Sequence, residues 1–138
     1  MSKYKIIIVE NDEDEQFFMK EGFQSNGSFE VLAMVINGNA LFEWLEENKT
    51  NLPDFVLSDL NMPGKNGYDI ISEIKATPAY THIPVIITST SSTPAFIDKC
   101  LNLGAAGYMV KPDTFIEYGP FVKRLQELVE EKGLIQSS

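Results

Sequence analysis

The sequence contains few residues that could form covalent or zinc-based cross-links. It has one cysteine, Cys100, and one histidine, His82. A single cysteine excludes an intramolecular disulfide and is typical of a protein from a reducing compartment. Cys100 lies in a predicted helix, where we expect a small buried hydrophobe. His82 lies in a predicted loop, and no role is predicted for it.

Basic residues are also scarce. Eleven lysines and arginines stand against 20 acidic residues, the net charge is −9, and no basic run occurs. Binding to nucleic acid requires clustered lysine and arginine for the phosphates, so this composition argues against a nucleic-acid partner. The same excess of negative charge argues against docking on an anionic membrane.

Long hydrophobic runs are absent from the sequence. The first apolar run, Ile6–Val9, has four residues and is followed by an acidic stretch. A signal peptide needs roughly 7–15 apolar residues and a membrane span roughly 18. We therefore expect a cytoplasmic protein with no membrane association.

Five short apolar runs alternate with helical patterns along the 138 residues. The first four are rich in aliphatic residues without strict alternation, which is typical of strands buried on both faces of a parallel sheet. The runs are Ile6–Val9, Val31–Ile36, Phe55–Leu57, Val85–Ile87 and Ala106–Val110. Helices are predicted over Asp12–Ser25, Ala40–Asn48, Tyr68–Ala76 and Pro94–Leu103, and a last helix near Pro120 that ends at Gly133. The order predicts an α/β, doubly wound three-layer sandwich, and we expect residues 1–138 to form a single domain.

Polar side chains follow four of the five predicted strands. Carboxyl ends of parallel strands share one edge of the sheet, so these residues should converge there. They are Glu10-Asn11-Asp12, Asp59 with Asn61, Thr88-Ser89-Thr90 and Lys111. Carboxylate and amide oxygens around a central aspartate suit Mg²⁺, and a carboxylate can act as a nucleophile toward phosphorus. Neither histidine nor cysteine is predicted at this edge, which disfavours hydrolase triads and zinc sites.

Two stretches carry a specific resemblance. Residues 59–67, Asp-Leu-Asn-Met-Pro-Gly-Lys-Asn-Gly, and residues 104–112, Gly-Ala-Ala-Gly-Tyr-Met-Val-Lys-Pro, match two motifs of the response regulator receiver domains of bacterial two-component systems. The whole chain resembles a stand-alone, chemotaxis-regulator-like member of this family. The resemblance implies a five-stranded parallel sheet of order 2-1-3-4-5, the flavodoxin-like arrangement.

The resemblance also implies roles for individual residues. Asp59 corresponds to the phosphoacceptor and Lys111 to the phosphate-binding lysine, preceding Pro112 in what the family makes a cis peptide. Ser89 corresponds to the hydroxyl that contacts the phosphoryl group and moves on activation, although the polar run around it leaves this register open by one residue. Tyr108 corresponds to the aromatic switch residue. Glu10, Asn11, Asp59 and, through its backbone carbonyl, Asn61 correspond to the Mg²⁺ ligands.

One position departs from the family pattern. Two acids usually follow the first strand, but here the pair is Glu10-Asn11. An amide oxygen can coordinate a cation but carries no charge, so we predict weaker Mg²⁺ binding and slower phosphotransfer than at a fully acidic site. Asp12 carries the next carboxylate along the chain.

Three functions remain open on these patterns. The first is a phosphorylation-dependent switch in a two-component phosphorelay. A sensor histidine kinase or phosphotransfer protein would phosphorylate Asp59, and a separate effector protein would read the result. Such a chain catalyses only its own phosphorylation and dephosphorylation, has no output domain, and could form a homodimer through its last helices.

The second function is that of a degenerate receiver that binds partners constitutively, which Asn11 favours. The third is an enzyme on the same fold, such as a flavin carrier or a phosphohydrolase. A flavin carrier is disfavoured because the acidic stretch after the first strand would repel the flavin phosphate.

Overall fold

The computed structural model describes residues 3–114 and 118–133. Five parallel strands form one sheet of order β2-β1-β3-β4-β5. The strands are β1 Tyr4–Val9, β2 Phe29–Val35, β3 Phe55–Asp59, β4 Val85–Ser89 and β5 Gly107–Val110. The predicted fold class and strand order are therefore confirmed.

Five helices connect and cover the strands. They are α1 Glu13–Asn26, α2 Gly38–Glu47, α3 Gly67–Ala76, α4 Pro94–Leu103 and α5 Tyr118–Glu131. Their starts follow local capping rules: the Asp12 side chain accepts a hydrogen bond from the Glu15 N–H at the start of α1, and Asn66 forms a reciprocal capping box with Asp69 at the start of α3. α4 begins with Pro94, as predicted.

The sheet is buried on both faces, which explains the apolar runs without alternation. Neighbouring residues of one strand contribute to different cores because successive side chains point to opposite faces. Ile7, Val9, Val56 and Val85 pack against α2, α3 and α4, whereas Ile6, Ile8, Leu57 and Ile86 pack against α1 and α5. Cys100 is fully buried in the first of these cores, as predicted.

Three details differ from the sequence-based expectations. β2 spans Phe29–Val35 rather than Val31–Ile36. α5 begins at Tyr118, two residues before Pro120, because the first-turn N–H groups of a helix have no intrahelical partner and a proline there removes no bond. The Lys111–Pro112 peptide bond is trans, the form that is favoured by about 0.5–1 kcal/mol for residues before proline. Within residues 3–114 and 118–133, no helix has the length and apolarity that a membrane crossing requires.

Candidate functional site

The predicted site residues converge at the carboxyl edge of the sheet. Asp59 is the last residue of β3, Glu10 directly follows β1, and Lys111 directly follows β5. The strand register places Val9 beside Ser58 and Asp59 beside Thr88, so β1, β3 and β4 end at the same level. Glu10 and Lys111 are 101 residues apart in the sequence, and the fold brings their side chains into contact.

Lys111 lies at the centre of three carboxylates. Its Nζ donates a hydrogen bond of 2.8 Å to Glu10 Oε1, and it lies 3.5 Å from Asp59 Oδ1 and 3.6 Å from Glu15 Oε1. Glu10 is 1% exposed, Asp59 7% and Lys111 9%. Three acids and one base thus share a nearly closed site whose charge is not balanced by the base alone.

Burial and pairing pull the ionisation of these groups in opposite directions. Burial raises the pKa of Glu10 and of Asp59, and in both cases the Lys111 ammonium works against this increase. A hydrogen bond from the backbone of Asn61 also favours the ionised form of Asp59. Burial acts to lower the pKa of Lys111, but the hydrogen bond with Glu10 and the nearby carboxylates outweigh it and raise that pKa. The site therefore favours additional positive charge next to Glu10 and Asp59.

The donor set at this edge suits Mg²⁺ in its chemistry. Mg²⁺ is held in many sites by one or two carboxylates together with water and phosphate oxygens, and Glu10 and Asp59 supply two carboxylates joined through the same lysine. Asn11 and Asn61, the other two predicted ligands, are exposed. The Asp12 side chain caps α1 and so has another partner. Among the residues that the structure describes, no cluster of three or more His, Cys, Asp or Glu side chains forms a complete metal cage.

Of the three candidate hydroxyls around the end of β4, those of Thr88 and Ser89 are buried, whereas Thr90 is exposed. Ser89 is 1% exposed, and its Oγ accepts a hydrogen bond of 3.2 Å from the N–H of Ser91. Thr88 is equally buried and lies beside Asp59 in the strand register, and its Oγ1 is without a hydrogen-bond partner within the described chain. The structure thus leaves two buried candidates, Thr88 and Ser89, which differ in their hydrogen bonding.

The predicted switch residue Tyr108 is half-buried on β5. Its hydroxyl donates a hydrogen bond of 2.7 Å to the carbonyl oxygen of Ser91, in the loop that follows β4. Tyr108 therefore already connects β5 to the segment that carries Ser89.

Gly67 explains the end of the first motif. It begins α3, and its N–H donates to the carbonyl oxygen of Leu60 at 2.9 Å. A Cβ at this position would lie 2.9 Å from Leu60 Cα and 3.0 Å from the Asp59 carbonyl oxygen. The close approach of α3 to the end of β3 thus requires a residue without a side chain.

Two residues of the site were missed by sequence reasoning. Glu15 lies on the first turn of α1 and forms an ion pair with Lys111, and the buried Tyr118 hydroxyl donates to Glu15 Oε2 from the start of α5. Burial, followed by the bond to Glu15, raises the pKa of Tyr118 well above its usual range. In the sequence Glu15 is one acid in a run, and Tyr118 is one aromatic before an amphipathic helix, so no local signal marks either.

Comparison with known proteins identifies the family. A family model described as the response regulator receiver domain matches residues 6–117. The two-component response regulator ORR1 of rice (Oryza sativa) is 40% identical over 89 residues, which are 62% of this chain and 38% of that protein. The chain thus spans well under half the length of this relative. That residues 1–138 form one receiver domain with no output domain stays a prediction.

Solved structures agree with this assignment. The phosphorylated cyanobacterial phytochrome response regulator RcpA superposes with a TM-score of 0.84 at 27% identity, covering 99% of this chain and 100% of that chain. The Mn²⁺-bound form of the response regulator Rcp1 superposes with a TM-score of 0.77 at 23% identity, covering 98% and 97%, and shares the fold. Receiver domains are signalling proteins of two-component systems rather than conventional enzymes, and divalent metal binding occurs among them. This chain belongs to the response regulator receiver domain family.

Proposed function

We propose that this protein is a phosphorylation-dependent signalling switch that accepts a phosphoryl group on Asp59. The observation that carries the proposal is the convergence on one strand edge of a buried aspartate and a buried lysine, with 3.5 Å between Asp59 Oδ1 and Lys111 Nζ. RcpA, which shares this fold, has been crystallised in a phosphorylated form. A sensor histidine kinase or a phosphotransfer protein would be the donor.

The transfer reaction itself needs little from the protein beyond positioning and charge. A carboxylate oxygen of Asp59 forms a bond to phosphorus as the bond from phosphorus to the donor's histidine nitrogen breaks, and the imidazole keeps that electron pair. The Lys111 ammonium, released from Asp59, can pair with an equatorial phosphoryl oxygen. A hydroxyl from Ser89, or from the neighbouring Thr88, can bind another.

The chain's own residues would hold Mg²⁺ through the Glu10 and Asp59 carboxylates, the Asn11 amide oxygen and the Asn61 backbone carbonyl. Bound there, the cation offsets the repulsion between the carboxylates and an incoming phosphoryl group. Glu10 would exchange its hydrogen bond to Lys111 for the cation, which would free the lysine for the phosphoryl group. Asn11 contributes no charge, so this site should bind the cation less tightly than one with two acids.

Phosphorylation is read by other proteins in this proposal. Ser89 would move toward the phosphoryl group, and because Tyr108 is bonded to the Ser91 carbonyl of the same loop, its ring would shift too. The altered surface would bind a separate effector protein in the cytoplasm, and no nucleic-acid contact is expected from a chain of net charge −9. Besides its own phosphorylation and dephosphorylation, the protein catalyses no reaction.

The test is phosphorylation by acetyl phosphate, with and without Mg²⁺, followed by intact mass. We expect a Mg²⁺-dependent phosphate adduct in the wild type and none in Asp59→Asn, because the amide oxygen is not a nucleophile comparable to a carboxylate. Asp54→Asn is the matched control, since Asp54 lies before β3 and binds the Lys5 N–H away from the site.

An adduct that persists in Asp59→Asn would place the acceptor elsewhere. No adduct in the wild type at any Mg²⁺ concentration would favour the second candidate, a receiver that binds partners constitutively. The specific observation behind that candidate is the uncharged Asn11 beside a Glu10 that is already paired with Lys111.

Asn11→Asp should strengthen cation binding. A carboxylate next to Glu10 adds one unit of negative charge at the cation, and we expect a Mg²⁺ affinity about tenfold higher, equivalent to about 1.4 kcal/mol. Calorimetric titration with MgCl₂ measures it. Asn102→Asp, at an exposed position of α4, changes the net charge equally and should leave the affinity unchanged. Equal gains in both variants would show that only overall charge matters.

A further inference from the structure

Two of the three carboxylates around Lys111, those of Asp59 and Glu15, would act differently during phosphotransfer. Lys111 Nζ is 3.5 Å from Asp59 Oδ1 and 3.6 Å from Glu15 Oε1. Asp59 is the proposed acceptor, whereas Glu15 belongs to neither the proposed acceptor set nor the proposed Mg²⁺ ligands. Its charge therefore attracts the same ammonium that the phosphoryl group would need.

Glu15 is held in place by two other elements of the fold. Its backbone N–H donates to Asp12 Oδ1 at 2.9 Å, which fixes the first turn of α1. Its Oε2 accepts a hydrogen bond from the Tyr118 hydroxyl, at the first residue of α5. Tyr118 is 2% exposed, so its hydroxyl has little access to water as an alternative partner. One carboxylate oxygen thus binds Tyr118 while the other faces Lys111.

The two partners of Glu15 compete for its negative charge. A hydrogen bond donated to one carboxylate oxygen draws charge toward that oxygen and weakens the attraction that the other exerts on Lys111. Without the Tyr118 hydroxyl, Glu15 would pair more strongly with the lysine. Without the Glu15 charge, Lys111 would have one fewer partner to leave.

We propose that Glu15 is a positioning residue that competes with the phosphoryl group for Lys111, and that the Tyr118 hydroxyl limits this competition. The inference rests on the proposed function, because it concerns the rate at which Asp59 is phosphorylated. Glu15 would thus give a functional role to the contact that joins α1 to α5 and to Lys111 at the strand edge. The rate of phosphotransfer then depends on a residue of α5 that contacts neither the phosphoryl group nor the cation.

Two substitutions should change the rate in opposite directions. Glu15→Gln removes the competing charge and keeps an acceptor for Tyr118, so phosphorylation by acetyl phosphate should be roughly fivefold faster. Tyr118→Phe leaves Glu15 with Lys111 alone and should make the reaction roughly threefold slower. In the double variant the effect of Tyr118→Phe should vanish, because the charge on which it acts is absent.

The measurement is the initial rate of adduct formation by intact mass, with urea unfolding of each variant alongside. Tyr80→Phe is the matched control, because Tyr80 is also 2% exposed and donates to a glutamate, Glu46, on the opposite face of the sheet. A structural role alone would lower the stability of both site variants and move both rates the same way.

The outcomes separate this inference from the proposed function. Opposite rate changes with the stated double-variant behaviour support it. Rates that change in the same direction, or that match the Tyr80→Phe control while the wild type still forms an adduct, overturn it and leave the proposed function standing. If the wild type forms no adduct at all, the proposed function fails and this inference fails with it.

Discussion

Lys111→Met should lower the free energy of unfolding by about 3 kcal/mol at pH 7.5, because it leaves Glu10 and Asp59 buried without their cation. Glu10 is 1% exposed and its closest cationic group is Lys111 Nζ at 2.8 Å. The folded protein can limit the loss by protonating a carboxyl group, which costs about 1.4 kcal/mol for each pH unit above that group's pKa. This protonation sets the upper limit of the effect.

The deficit of Lys111→Met should shrink as the pH falls. Burial already raises the pKa of Glu10 and Asp59, and removing Lys111 removes the main group that opposes this increase. A carboxyl group whose pKa is higher in the folded state binds protons more readily when folded, so its contribution to stability is present at low pH and is lost as the pH rises through the folded pKa. Urea unfolding at pH 7.5 and pH 5 should therefore give a larger deficit at pH 7.5.

Two comparisons make this prediction specific to the buried cluster. Adding Glu10→Gln to Lys111→Met should recover part of the lost stability, since one uncompensated charge is removed. Lys49 forms an ion pair with Glu46 in which the two side chains are 57% and 59% exposed. Lys49→Met breaks this pair and should change the free energy of unfolding little. A pH-independent deficit, or an equal one for Lys49→Met, would count against a buried charge cluster.

The fold could be predicted from the sequence because the patterns that mark strands and helices are local and recur along the chain. Each buried strand reads as a short aliphatic run, as in Ile6–Val9, and helix boundaries are marked by residues such as Pro94, so the order of elements and the crossover rule determine the sheet. Boundaries were less accurate at β2 and α5, where half-buried residues and a first-turn proline blur the signal. The strand-edge rule also predicted correctly that Glu10, Asp59 and Lys111 come together.

The interactions within the site could not be read from the sequence, because they depend on how elements far apart in the chain pack. Nothing local indicates that Lys111 pairs first with Glu10, or that Glu15 and Tyr118 join across α1 and α5. Asn11 is a further example: the sequence shows that an amide stands at this position, but only the structure shows that the residue is exposed. The structure shows where the predicted site residues lie, but the roles of all of them, including Asp59 and Lys111, stay predictions.

Gly67→Ala should lower the free energy of unfolding by about 2–3 kcal/mol and slow the phosphorylation of Asp59. The new Cβ would meet the backbone of Leu60 at 2.9 Å and the Asp59 carbonyl oxygen at 3.0 Å, distances that real Cβ atoms rarely or never show. A backbone cannot rotate away as a flexible side chain can, so α3 must shift outward or β3 must bend at its last residue. Either movement displaces the proposed phosphoacceptor relative to Lys111.

Gly119→Ala provides the matched control for this substitution. Gly119 also lies in the first turn of a helix, α5, but a Cβ there would meet no atom of the described residues within 4 Å, apart from its chain neighbours and its own helix backbone. Alanine favours the helix over glycine by up to about 1 kcal/mol, so this variant should be as stable as the wild type or more stable. Urea unfolding and the adduct assay on both variants test the contrast. The opposite outcome is that Gly67→Ala matches Gly119→Ala in urea unfolding and is phosphorylated at the wild-type rate. That result would show that α3 can shift without cost and that Gly67 has no steric role at the end of the Asp59 loop.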